Sequence, residues 1–169
     1  MSDFFLTTVL TFDASVRICV PLIFASMAGL FAERSGVVDI GLEGKLLMSA
    51  FIAASAASVF GSPWLGLIAG MFASSVLAMI HGFASITYKG NQIVSGVAIN
   101  ILASGLTMIL TLAWFKRGGI TPTLQNDERF LSITLPGVDI IDHIPIIGVI
   151  YRELISGHNI LVYLAFVIV

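Results

Sequence analysis

Charge is what this sequence has least of. Of 169 residues, 8 are Lys or Arg and 10 are Asp or Glu, 11% in all, where a soluble domain carries about 25%. From Leu46 to Tyr88 there is no charged residue. A surface so poor in charge suits an apolar solvent, which excludes a soluble globular class. The 57% of hydrophobic residues and the mean hydropathy of +1.03 point to an integral membrane protein. Cysteine is almost absent as well: Cys19 stands alone in an apolar run, which excludes an internal disulfide and leaves a small packing residue as its expected role. The net charge of −2 comes without a basic cluster, so no nucleic-acid partner is expected.

Signatures of catalysis are also missing. There is no GxxxxGK(S/T) phosphate loop, so the chain is not expected to hydrolyse ATP, and no nucleophile elbow. His81, His143 and His158 show no metal-ligand spacing. No catalytic residue, metal ligand or bound cofactor is expected. Met1, Ser2 and Asp3 supply no positive region of the kind that opens a cleaved signal peptide.

What is present is a series of apolar runs. A hydrocarbon core needs about 20 helical residues, and four runs approach that length: 14–33, 42–60, 64–87 and 93–115. A fifth begins at 159 and continues to Val169. Phe4 to Phe12 is too short to span and is expected either to lie at the interface or to extend the first helix. Pro21 is expected to kink that helix. Gly61, Ser62 and Pro63 form one turn, and Tyr88 to Asn91 another. Small residues recur every fourth position: Ser49, Ala53 and Ala57; Gly66, Gly70 and Ser74; Gly96, Asn100 and Ser104. Such ridges let helix backbones approach closely in lipid. The expected fold class is an all-α integral membrane protein, a polytopic helical bundle in one transmembrane domain, with a loop over 116–158. That loop is too apolar at Phe130 to Leu135 and Ile140 to Tyr151 for a solvated linker, and is expected to fold back on the membrane face or form a short helix.

Glu33 to Met48 stands apart, with five of the charged residues and three glycines, Gly36, Gly41 and Gly44, between apolar runs. Val37, Val38, Ile40 and Leu42 alternate with Asp39, Gly41 and Glu43, so the segment has apolar surface to bury. The expectation is a turn partly inside the protein, with the glycines allowing tight backbone approach. Asp39 and Glu43 lie four apart and share a face if the segment is helical. They can line a polar path or form surface ion pairs with Arg34 or Lys45; both readings stay open. Asn100, buried in a span, needs a partner: an interhelical hydrogen bond or a solute. Asn91 and Gln92 are candidates for the same path or for capping the fourth helix.

Two motifs carry a resemblance. ERSGVVDIGLEGKLLMSAFIAA, from Glu33, and GNQIVSGVAIN, from Gly90, resemble the signatures of ABC-importer permeases of the nucleoside and simple-sugar type, within the larger family that includes ribose and branched-chain amino acid permeases. The resemblance runs from about Ala14 to the end. It implies a permease working by alternating access. It also implies a second permease subunit, cytoplasmic ABC ATPases that hold ATP and Mg, and an external solute-binding lipoprotein. The location it implies is the bacterial inner membrane, with the lipid bilayer itself as a partner. Nucleosides are the first expected cargo and simple sugars the second. Relatives of this kind continue through a cytoplasmic coupling segment, so the chain is expected to be an N-terminal half. The competing expectation is a non-transporting scaffold or an inactive truncated permease. Counting basic residues does not fix orientation: Arg34, Lys45 and Lys89 in short loops stand against four basic residues over 116–158. The resemblance places that long loop outside, and the N-terminus with it.

Overall fold

The computed structural model describes residues 3–137 and 147–168. The fold is all-α: α1 Asp3–Arg34, α2 Leu42–Phe60, α3 Pro63–Gly82 running into a π-helical turn Phe83–Thr87, α4 Gln92–Phe115, α5 Ile147–Ile150 with a π-helical turn Tyr151–Ile155, and α6 Ile160–Ile168. Among the described residues, four helical stretches are long and apolar enough to cross a membrane, Phe4–Arg34, Leu42–Phe60, Pro63–Thr87 and Gln92–Phe115. His143 and the part of the apolar stretch Ile140 to Tyr151 that precedes residue 147 lie outside the described residues.

The helix ends follow from sequence chemistry. α1 is longer than its apolar centre: Phe4 to Phe12 is helical and continuous with it. Thr8, Thr11 and Ser15 return their hydroxyls to carbonyls one turn back, each at 2.8 Å. Asp13 pairs with Arg17 at 3.1 Å, so neither polar residue breaks the helix. Pro21 is accommodated within it. At its end Gly36 takes φ +84°. There Gly36 N–H donates to Glu33 O and Val37 N–H to Ala32 O, the paired bonds that close a helix through a left-handed residue. Gly61, left-handed at φ +61°, ends α2, and Pro63 starts α3 where its missing N–H costs nothing. Asn91 caps α4, its Oδ1 accepting from the N–H groups of Ile93 and Val94 at 3.0 and 3.2 Å.

The chain divides into two compact units. In the unit of residues 25–129, α2 and α3 pack antiparallel through two of the small-residue ridges. A Cβ on Gly66 would lie 2.6 Å from Ala53 O, and one on Gly70 would lie 2.9 Å from Ser49 O, so the backbones touch. α2 and α4 run parallel: Gly44 lies beside Asn100, and Phe51 stacks on Trp114 with centroids 5.7 Å apart. Met48, Phe51, Leu77, Ile99 and Ala103 form the core between the three helices. Many large apolar side chains elsewhere on them are exposed, as a lipid-facing surface requires.

The other unit comprises residues up to Phe24 and from Phe130 onward. Val20, Val162 and Ala165 form its core, with Val16 and Phe24 against it. Phe130 to Leu135 is extended rather than helical. Ile133 N–H donates to His158 O at 2.9 Å and Gly157 N–H to Ile133 O at 3.1 Å. His158 is buried; its Nε2 donates to Leu154 O at 3.0 Å, and its Nδ1 lies 3.6 Å from Asp13 Oδ1.

Candidate functional site: an extended segment held against α4

Between α1 and α2 the backbone is not helical. It lies along one stripe of α4 formed by Gln92, Gly96 and Asn100, four residues apart and therefore on one face. Gln92 holds the near end: its Oε1 accepts from Val38 N–H at 2.7 Å and its Nε2 donates to Gly36 O at 3.5 Å. Gly96 supplies the space, since a Cβ there would sit 2.9 Å from Gly41 N and 3.1 Å from Ile40 Cβ. Asn100 holds the far end. Its Oδ1 accepts from Gly44 N–H at 2.7 Å and its Nδ2 donates to Ile40 O at 3.1 Å. Asn100 lies eight residues into α4, about 12 Å along its axis. Non-helical backbone thus runs along a helix long and apolar enough to cross a membrane, where its polar groups need protein partners, and two amide side chains provide them.

A charged cluster sits beneath this segment. Asp39 Oδ1 accepts from Gly41 N–H at 3.1 Å, tightening the turn into α2. Asp39 Oδ2 and Lys45 Nζ form an ion pair, with the two side chains 10% and 7% exposed. His81, 2% exposed, comes from the end of α3. Its Nε2 lies 3.3 Å from Val38 O and 3.9 Å from Asp39 Oδ1, and its Nδ1 lies 3.1 Å from Ser95 Oγ. A carbonyl can only accept, so Nε2 carries a proton toward Val38 O, and Nδ1 is within hydrogen-bond reach of the Ser95 hydroxyl, which can donate or accept.

The residues singled out from sequence therefore separate. Asp39 and Glu43 do not share a helical face, because α2 starts only at Leu42. Asp39 takes Lys45 as its partner, one of the two cations expected, but in the interior rather than at the surface. Glu43 is exposed and lines a cavity beside Asn100. Gly41 and Gly44 are buried against α4 and serve close approach. Gly36 is exposed with nothing within 4 Å of its would-be Cβ, so its requirement is the left-handed backbone. Asn91 is a cap. Gln92 is a clamp on the segment rather than a cap. His81 was not anticipated: in sequence it is a single histidine in an apolar run, and its contact Val38 is 43 positions away.

Asn100→Leu is expected to leave Gly44 N–H and Ile40 C=O without their partner and to cost about 1–3 kcal/mol. Thermal unfolding of the detergent-solubilised protein reads this. A Leu variant as stable as the parent would show that both backbone groups find other partners.

Residues 12–169 match the family model described as the branched-chain amino acid transport system / permease component. Three curated relatives align over most of the chain. The guanosine ABC transporter permease protein NupQ of Bacillus subtilis is 38% identical over 82% of this chain. The nucleoside ABC transporter permease protein NupC of Lactococcus lactis is 33% identical over 78% of it. The putative glucose ABC transporter permease protein TsgC13 of Haloferax volcanii is 31% identical over 80% of it. The aligned part spans 43%, 41% and 39% of those relatives' own lengths. No solved structure matches the chain.

Proposed function

The chain belongs to the family of branched-chain amino acid transport system permease components, and from that membership we propose that it supplies part of the membrane pathway of an ATP-driven importer. Nucleosides are the proposed cargo and simple sugars the second. The support for cargo lies in the relatives, two named for guanosine or nucleosides and one for glucose. The observation that carries a transport role over a scaffold is the non-helical segment from Gly36 to Gly41 and the first turn of α2, held by Gln92 and Asn100 with a buried Asp39–Lys45 pair beneath it. Ionisable side chains and broken helices inside a membrane bundle are costly, and they belong to solute paths more than to scaffolds. A second permease subunit, cytoplasmic ATPases holding ATP and Mg, and an external binding lipoprotein complete the proposed assembly, in the bacterial inner membrane. Uptake of radiolabelled guanosine by cells carrying the complete transporter operon tests the reading. Uptake that does not change when the permease is deleted counts against it.

The proposed orientation puts the N-terminus outside and Arg34 and Lys89 facing the cytoplasm, with Lys45, expected there from sequence, buried against Asp39 instead. Lys89 is at the tight turn before α4, with φ +51°. With Cys19 replaced by Ser, a cysteine at position 89 is expected to resist an impermeant thiol reagent in intact cells and to react in inverted vesicles. Rapid labelling in intact cells would reverse the topology.

A further inference from the structure

The face of α4 that meets α2 stays polar beyond Asn100. Ser104, Thr107 and Thr111 follow at steps of four, three and four residues, one stripe on an otherwise apolar helix. Two cavities open along this stripe. One, of about 620 Å³, is bordered by Glu43, Asn100 and Ser104; the other, of about 380 Å³, by Ser104, Thr107, Thr111 and Thr121. Both touch Leu47, Ser104 and Met108, so they form one trough of a size that admits a small solute.

The polar groups facing the trough are not used up by the fold. Thr107 and Thr111 donate their hydroxyl hydrogens to carbonyls of their own helix, Ser104 O and Thr107 O, which leaves oxygen lone pairs. Asn100 Nδ2 gives one hydrogen to Ile40 O and retains a second. The Glu43 side chain makes no hydrogen bond or ion pair among the described residues, although it precedes Gly44, which is buried beside Asn100. Asp39, four positions earlier, has Lys45. A carboxylate without a partner at such a place faces water or a ligand that supplies hydrogens.

We infer that the trough binds the sugar portion of the solute, with Glu43 accepting from a vicinal diol; this rests on the reading of the chain as a nucleoside or sugar permease. Two carboxylate oxygens accept two adjacent hydroxyl hydrogens at once, and an ionised acceptor makes the stronger bond. Asn100 and Ser104 supply the donors for the sugar oxygens. Leu47 and Met108 give the apolar wall for the rest of the molecule. Glu43 is then a specificity-determining residue, and it sets which hydroxyl pattern is carried.

The test compares guanosine with 2′-deoxyguanosine, and glucose with 2-deoxyglucose, as labelled substrates in cells expressing the complete transporter. Each deoxy compound lacks one hydroxyl of a vicinal pair. In the parent the full diol is favoured. In Glu43→Gln and Glu43→Ala that preference is expected to fall about tenfold, because a site built to bond a hydroxyl is what discriminates against its absence. A second readout does not depend on turnover. With Cys19 replaced by Ser, Ser104→Cys is expected to react with a small hydrophilic thiol reagent and to be protected by the transported solute. By contrast, Ile109→Cys, on an exposed apolar position of α4, should stay unlabelled. An unreactive Ser104→Cys means another helix fills the trough and overturns the inference. So does an unchanged diol preference in Glu43 variants that still transport. A parent carrying neither guanosine nor glucose overturns the functional reading, and this inference with it.

Discussion

Gly44→Ala is expected to prevent the bundle from closing. The added Cβ would lie 2.8 Å from Asn100 Cα, 2.8 Å from Asn100 Oδ1 and 2.9 Å from Ile99 O. Two of these are main-chain atoms of α4 that cannot rotate away. The start of α2 must retreat, and the 2.7 Å bond from Gly44 N–H to Asn100 Oδ1 lengthens with it. Overpacking of this kind costs about 1–3 kcal/mol, and the stretched hydrogen bond adds about 1 kcal/mol or more. Gly105→Ala is the control, since nothing lies within 4 Å of a Cβ there and alanine is the better helix former. Membrane expression and thermal unfolding in detergent are expected to be near the parent's for Gly105→Ala and severely reduced for Gly44→Ala. Equal behaviour of the two would mean that α2 and α4 are not in backbone contact at this point.

Lys45→Met is the second large effect. It leaves the carboxylate of Asp39 buried without its cation, a loss of about 3–5 kcal/mol for buried pairs. Asp39→Asn in the same chain should restore much of it. An amide oxygen still accepts from Gly41 N–H, as Asp39 Oδ1 does at 3.1 Å, and no net charge is left in the interior. The expected pattern in a thermal-unfolding cycle is therefore a damaged single variant and a milder double variant. If Lys45→Met alone unfolds at the parent's temperature, the pair is screened by water and the interior site is more open than its 7% and 10% side-chain exposure implies.

The apolar runs gave the helices away because length and composition are local properties. The ridges of small residues were also legible, though not which two meet: the structure sets Ser49 and Ala53 against Gly66 and Gly70. Spacing four apart is visible in sequence and directly sets which backbone faces can touch. The site was legible in its parts and not in its pairing. Asp39, Gly41, Gly44, Gln92 and Asn100 all stood out as polar or small residues in apolar surroundings. That Gln92 clamps Val38 rather than capping α4, and that His81 reaches Val38 and Ser95, depends on which helix ends come together, and no local pattern encodes it. Whether Phe4 to Phe12 lay at the interface or extended α1 stayed open in the sequence, and the structure takes the second reading. Asp13 looks like a boundary, yet an i,i+4 bond to Arg17 makes it an ordinary helical position.

The hydrogen bond from Gly44 to Asn100 also has a clock attached. It joins residues 56 positions apart. At about 5–20 residues per second of synthesis, roughly 3 to 11 s pass between the making of Gly44 and the making of Asn100. During that interval the segment between α1 and α2 has been made but has nothing to lie on. Its amides must be sheltered by water or by the insertion machinery until α4 enters the bilayer. A ribosome that stalls between the two positions prolongs that state.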